Sequence, residues 1–276
     1  MPADNARVAP PPGLDPDWLG AKLKLRVWPA VVPFVLPMLL LLLWQITSAM
    51  GWLPHQILPK PALVLDDFKE MIANGELWQH TSRSLLRVVQ GFAVGGALGL
   101  LLGMGMGLSE RFRLIVEPVF TAIAQIPAIG LIPLFILWVG IDEPLKVLVI
   151  AKAALVPVTV NTYMGILNVP RAYREVGDVL TFGPSLTLRK IVLPAAIPSI
   201  FTGIRYGLTN AWLALVAVEL LVSSEGLGYL MVWGRQLFQL DYVLVAMIMI
   251  GVIGFLLDAV LAKIEKRLQR WKLVLR

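Results

Sequence analysis

The sequence contains no cysteine. A disulfide framework and a thiolate metal centre are both excluded. Histidine is nearly as scarce, with only His55 and His80, so a metal site is not expected and imidazole-based catalysis has little material. Charge is sparse as well: 15% of the 276 residues are charged and 58% are hydrophobic, with a mean hydropathy of +0.77. A water-facing domain carries roughly 25% charged residues, so this chain is expected to live in a bilayer. No GxxxxGK[ST] phosphate loop is present, so the chain is not expected to bind ATP, Mg or any other cofactor by itself. The net charge of +6 does not argue for nucleic acid. In a membrane protein such an excess sits in cytoplasmic loops against anionic lipid.

What is present is a series of long apolar runs. A helix rises about 1.5 Å per residue, so roughly 30 Å of hydrocarbon takes about 20 residues. Six stretches have that length: Trp28 to Met50, Ser84 to Leu108, Pro118 to Val139, Pro144 to Leu167, Pro198 to Ser223 and Tyr242 to Lys263. The expected fold is an all-α polytopic membrane protein with six transmembrane helices. Residues 1–27 form an N-terminal tail, polar and proline-rich, with no small-residue cleavage site after the apolar run that follows it. Residues 28–263 form the transmembrane domain and 264–276 a basic C-terminal tail. Placing both termini in the cytoplasm puts most of the 24 Lys and Arg residues inside, as the positive-inside bias requires. The outer connection contains PALVLDDFKEMIANG, read as a short helix with Leu63, Phe68 and Ile72 near one face and ending at Gly75.

Gly91, Gly95, Gly99, Gly103 and Gly107 recur every four residues in the second span. Such a stripe lets another helix approach closely, either within the subunit or on a second copy. The third span carries Pro127 and Pro133, which remove amide donors and are expected to bend it.

Between spans four and five lies YREVGDVLTFGPSLTLRKIVLPAAIPS, residues 173–199. Its charges forbid a span. Tyr173 to Phe182 reads as one short helix, Gly183-Pro184 breaks it, and Ser185 to Val192 reads as a second before Pro194 and Pro198 punctuate the start of span five. The result is a cytoplasmic elbow, 171–193, whose apolar residues among charges suit docking into a groove of another protein.

Glu175 followed by Ile191-Val192-Leu193-Pro194 resembles the EAA loop of bacterial ABC importer permeases. Val176-Gly177 stands in place of the paired alanines, and Thr181 stands where that loop has glycine, with Gly183 two residues later. Leu58-Pro59-Lys60-Pro61, Ser84-Leu85-Leu86-Arg87 running into Gly91-Phe92, Pro133 to Trp138, Phe201 to Arg205, Glu219-Leu220 and Gly226-Leu227-Gly228 are similar to the branch that handles sulfonates, taurine, nitrate and bicarbonate. The resemblance implies a type I importer permease in the bacterial inner membrane. It implies a homodimer, two ATP-binding subunits that hold ATP and Mg, and an extracytoplasmic solute-binding protein. Coupling to the ATPase would fall to Glu175, Gly177, Thr181, Gly183, Leu193 and Pro194, and the cargo would be a small anion, alkanesulfonate or taurine ahead of nitrate or bicarbonate.

An ionisable side chain near the bilayer centre costs roughly 2.5 to 3.5 kcal/mol and requires a partner or a wet cavity. Sign and depth suggest two pairs, Lys152 with Glu219 and Arg205 with Asp258. The alternative is that Lys152 or Arg205 draws an anion along a path, with Gln125, Asn161, Thr162, Asn210 and Trp212 as further lining. Two other function classes remain open on the residues alone. One is an ion-gradient-driven secondary transporter or channel, which calls for an inverted repeat or proton relay. The other is an intramembrane enzyme, for which a nucleophile with its base is not evident.

Overall fold

The computed structural model describes residues 16–52, 54 and 57–268, and of residues 16–31 and 33 the backbone alone. Every regular element among them is helical. The chain divides into Met1–Pro61 and Ala62–Arg276. In the first unit α1, Pro16–Ala49, starts well ahead of the expected Trp28, so part of the expected tail is helix. Its apolar stretch Phe34–Ala49 corresponds to the first expected span. The Trp44 indole donates to the Pro59 carbonyl at 2.9 Å. His55 and the last residues of the basic tail, from 269, lie outside the described residues.

From its second residue onward α2, Pro61–Ala73, belongs to the second unit, and it buries Val64 and Met71. Leu63 and Ile72, expected near one face with Phe68, are both exposed. The helical face is rotated because residues 64, 67, 68 and 71, spaced three and four apart, share one side.

Among the described residues, four helical runs are long and apolar enough to cross a membrane: α3, Glu76–Leu108; α6, Glu143–Leu167; the run Pro184–Gln236; and α11, Leu240–Leu268. A further pair, α4 (Glu110–Ala124) and α5 (Ile132–Val139), is long and apolar enough only when taken together, and it is bent by 88° at the break, the geometry of a broken span or a re-entrant loop. This corrects the single third span from Pro118 to Val139. The break falls at Pro127, while Pro133 occupies the first turn of α5, where its missing amide costs nothing.

The elbow is α7, Arg171–Val179, a turn, then α8, Pro184–Thr187. A π-helical turn, Leu188–Val192, leads without interruption into α9, Leu193–Val222. Pro194 and Pro198 therefore do not punctuate the start of the span. The Leu193 N–H reaches back to the Leu188 carbonyl, and this wider turn leaves room for the proline ring that follows. After α9 the chain breaks at residues 223–226 and resumes as α10, Leu227–Gln236.

α6 is the central helix. The α3 glycines line up along it: a methyl carbon on Gly91 would come within 2.5 Å of Ile150 Cβ, on Gly99 within 2.9 Å of the Leu155 carbonyl, and on Gly103 within 2.7 Å of the Thr159 carbonyl. A carbon on Gly95 would overlap the Ala151 backbone, and Gly107 meets Ile166. The stripe thus serves packing within the subunit. α9 approaches α6 from another side through Gly203 and Gly207. Apolar clusters close the two ends, with Leu145, Val149, Ala214 and Val218 at one and Ile166, Val169, Val192 and Ala196 at the elbow end.

Candidate functional site

At the end of the unit away from the elbow, a polar cluster is buried among α3, α6, α9 and the α9–α10 break. Arg87 Nη1 donates to Glu219 Oε1 at 2.8 Å and to the Glu225 carbonyl at 2.6 Å. Its Nε and Nη2 both donate to Glu143, each at 2.7 Å. Lys146 adds a 2.7 Å bond to the same carboxylate. Glu219 also accepts from Ser84 at 2.8 Å and from the Gly228 N–H at 2.9 Å. Ser84 in turn accepts from the Leu227 N–H, and His80 Nδ1 accepts from the Gly226 N–H at 3.0 Å. The amides that open α10 are therefore held by side chains of α3 and α9, satisfying donors that a helix start leaves bare. Two cations meet two carboxylates, so the cluster is neutral.

This corrects the expected Lys152–Glu219 pair. Glu219 is buried inside the cluster and Arg87 is its ionic partner. His80, which precedes the expected start of the second span at Ser84, lies within α3 and is buried. Gly226 has φ +113, and any side chain there would collide with the Glu219 carboxylate.

A second arrangement sits midway along α6. Lys152 donates to the Ile126 carbonyl, which the break between α4 and α5 exposes. A cavity of about 510 Å³ beside it is lined by Ile126, Ile129, Lys152, Asn161, Asn210 and Leu213, among others. Gln125 is exposed at the break. Thr162 is buried against Gly103, and Trp212 lines a cavity of about 380 Å³ between α9 and α11.

Arg205, on that same wall, makes a two-pronged pair with Asp258 at 2.7 and 2.8 Å and reaches Glu265 at 3.3 Å. The Arg205–Asp258 pairing inferred from sign and depth is present. Among the described residues no group of three or more acidic or histidine side chains is placed to hold a metal ion.

The elbow leaves Tyr173, Val176, Val179 and Leu180 exposed, Val179 at 82%. Glu175 is exposed between them. α7 ends in a Schellman turn: Phe182 N–H bonds the Gly177 carbonyl at 2.9 Å and Thr181 takes φ 54. Gly177 is buried and allows α7 onto the following helix, since a methyl there would lie 3.0 Å from Ile191 Cδ1. Gly183 has φ −67 and open space around it, so the special backbone position is Thr181 and not Gly183. Leu193 and Pro194 open α9 beyond the π turn.

Residues 95–270, which include the elbow, match the family described as binding-protein-dependent transport system inner membrane component. The chain belongs to that family. The permease is 39% identical over 238 residues to SsuC of Bacillus subtilis, named for aliphatic sulfonates transport, covering 86% of each chain. It is 37% identical to the Escherichia coli protein of that name, over 87% of this chain and 92% of the relative. It is 30% identical to the taurine transport system permease protein TauC of Escherichia coli, over 84% and 86%. The inward-facing MetNI methionine ABC transporter shares the fold, with a TM-score of 0.56 at 16% identity, over 68% of this chain and 95% of that one. Membership sets aside the ion-gradient-driven secondary transporter or channel. Ser84, Arg87, Glu219 and Gly226 to Gly228, separate branch motifs in the sequence, prove to be one hydrogen-bonded cluster. Arg87 was absent from the expected site residues, and its presence in a long apolar segment was the available signal.

Proposed function

We propose that this permease is the membrane subunit of an ATP-driven importer of small organic anions, alkanesulfonate or taurine ahead of nitrate or bicarbonate. The cargo preference rests on the names of the relatives. Two copies form the pathway, each docks one ATP-binding subunit that holds ATP and Mg, and an extracytoplasmic binding protein delivers cargo to the end that carries the α9–α10 break. Both termini then face the cytoplasm, with the elbow.

The observation that carries the coupling role is the elbow itself. Val176, Val179 and Leu180 are exposed on and just beyond a short helix that packs through Gly177 on Thr187 and Ile191, in α8 and the π turn that runs into α9. An exposed apolar helix of this kind fits a groove in a partner, and movement of the groove reaches α9 through the continuous π turn. In this reading Glu175 meets a partner cation at the rim.

The test is purification of the tagged chain in mild detergent, followed by ATPase and uptake assays. A stoichiometric ATP-binding subunit, lost with Val179→Asp and uncoupled by Glu175→Lys, supports the proposal. A chain that reconstitutes alone and moves solute without ATP overturns it.

A further inference from the structure

We propose that Lys152, with Asn161 and Asn210, forms a transient mid-membrane site for the anionic head of an amphipathic cargo, whose apolar tail lies against the neighbouring apolar cavity. This rests on the importer reading above.

The first argument is the bookkeeping of charge inside the spans. Arg87 and Lys146 share Glu219 and Glu143, and Arg205 holds Asp258 and Glu265. Among the described residues Lys152 forms no salt bridge, and its ammonium donates to one uncharged oxygen, the Ile126 carbonyl. An ammonium has three donors, so two remain. A lysine kept at this depth requires water or an anion beside it. Lys152 lies nine residues into α6, about 14 Å along the helix axis and so close to the middle of the membrane.

The second argument is place. Lys152, Ala124 and Val156 line two adjoining cavities. The first, about 510 Å³, brings Asn161 and Asn210 to the same wall. Each amide donates one hydrogen to its own helix, Asn161 to the Pro157 carbonyl and Asn210 to the Tyr206 carbonyl, both at 2.9 Å. Each keeps a second N–H. The other cavity, about 550 Å³, is lined by apolar side chains such as Leu98, Val119, Ile123 and Leu155, with Lys152 as its sole charged residue. A cationic corner with amide donors on one side and hydrocarbon on the other matches a sulfonate on an alkyl chain. One ammonium and two amides make a weak site, which suits a solute that must leave again. Glu219 and Arg205 are committed to their own partners and take no part.

The experiment is ATP-driven uptake of ethanesulfonate and hexanesulfonate into proteoliposomes holding the complete complex and its binding protein. Lys152→Gln is expected to lower uptake at least about tenfold, the scale of a lost charged hydrogen bond, while the ATP-binding subunit still co-purifies and hydrolyses ATP. Lys152→Arg retains uptake. Because the chain has no cysteine, Lys152→Cys offers a single thiol within it. Aminoethyl methanethiosulfonate returns an ammonium there and is expected to restore uptake, while the uncharged methyl reagent does not. Hexanesulfonate is expected to slow labelling of that thiol during turnover. Wild-type uptake by Lys152→Gln, or equal rescue by both reagents, overturns the site and leaves the importer reading standing. A wild-type complex that moves neither sulfonate, nor taurine, nitrate or bicarbonate, with ATP overturns the reading, and the site with it.

Discussion

Arg87→Met removes four hydrogen bonds at once, and the structure predicts how unequal they are. Glu143 is 57% exposed at its side chain, so solvent recovers it and the loss on that side is about 0–1 kcal/mol. Glu219 is 0% exposed at its side chain and Arg87 3%. Removing one member of such a pair strands a buried carboxylate, at a cost of about 3–5 kcal/mol. That is a large part of a total stability of about 5–15 kcal/mol. Glu219→Gln keeps an acceptor for Ser84 and Gly228 and removes the charge, so Arg87→Met combined with Glu219→Gln is expected to regain at least half of the loss. The measurement is a double-mutant cycle on SDS-induced unfolding of the purified chain, with protease cutting in residues 223–226 as the local readout, because Arg87 also holds the Glu225 carbonyl. A single variant within about 0.5 kcal/mol of wild type, or strictly additive losses, refutes the reasoning.

Thr181→Gly is expected to stabilise the permease by about 1 kcal/mol, since a β-branched residue at φ 54 pays that much in the left-handed region; an unchanged thermal midpoint counts against it. Gly183→Ala is expected to leave the midpoint alone, because its methyl meets open space. Gly95→Val drives a side chain into the Ala151 backbone, and its folded yield in the membrane is expected to collapse, overpacking alone costing about 1–3 kcal/mol. Burial, a hydrogen bond with Asp241, and the nearby Glu70 and Asp66 charges push Asp67 in α2 up to about 7. The folded chain then binds the proton more tightly than the unfolded one, so this contribution is complete below the ordinary carboxylate range and fades as pH rises through about 7. Protease protection of α2 should fall between pH 6 and 8 (about one unit either side of that value), and Asp67→Asn should flatten the profile.

Much of this molecule follows from the order of its residues alone. Apolar runs long enough for a bilayer must become helices, because backbone groups cannot be left bare in lipid. The charged elbow cannot enter that phase and stays outside it. Glycines every four residues announce a close helix contact, though not the identity of the partner; only the tertiary structure places α6 there. The same limit explains the charges. Depth along a helix is legible from sequence and was enough for Arg205 with Asp258. Which way a side chain points around its helix depends on packing, so Glu219 went to Arg87 and Lys152 was left at a cavity with a carbonyl. Proline removes an amide wherever it stands, yet Pro127 breaks a span, Pro133 starts a helix and Pro194 rides through on a π turn. The amino acid sets the missing hydrogen bond, and the neighbouring turns decide what its absence does.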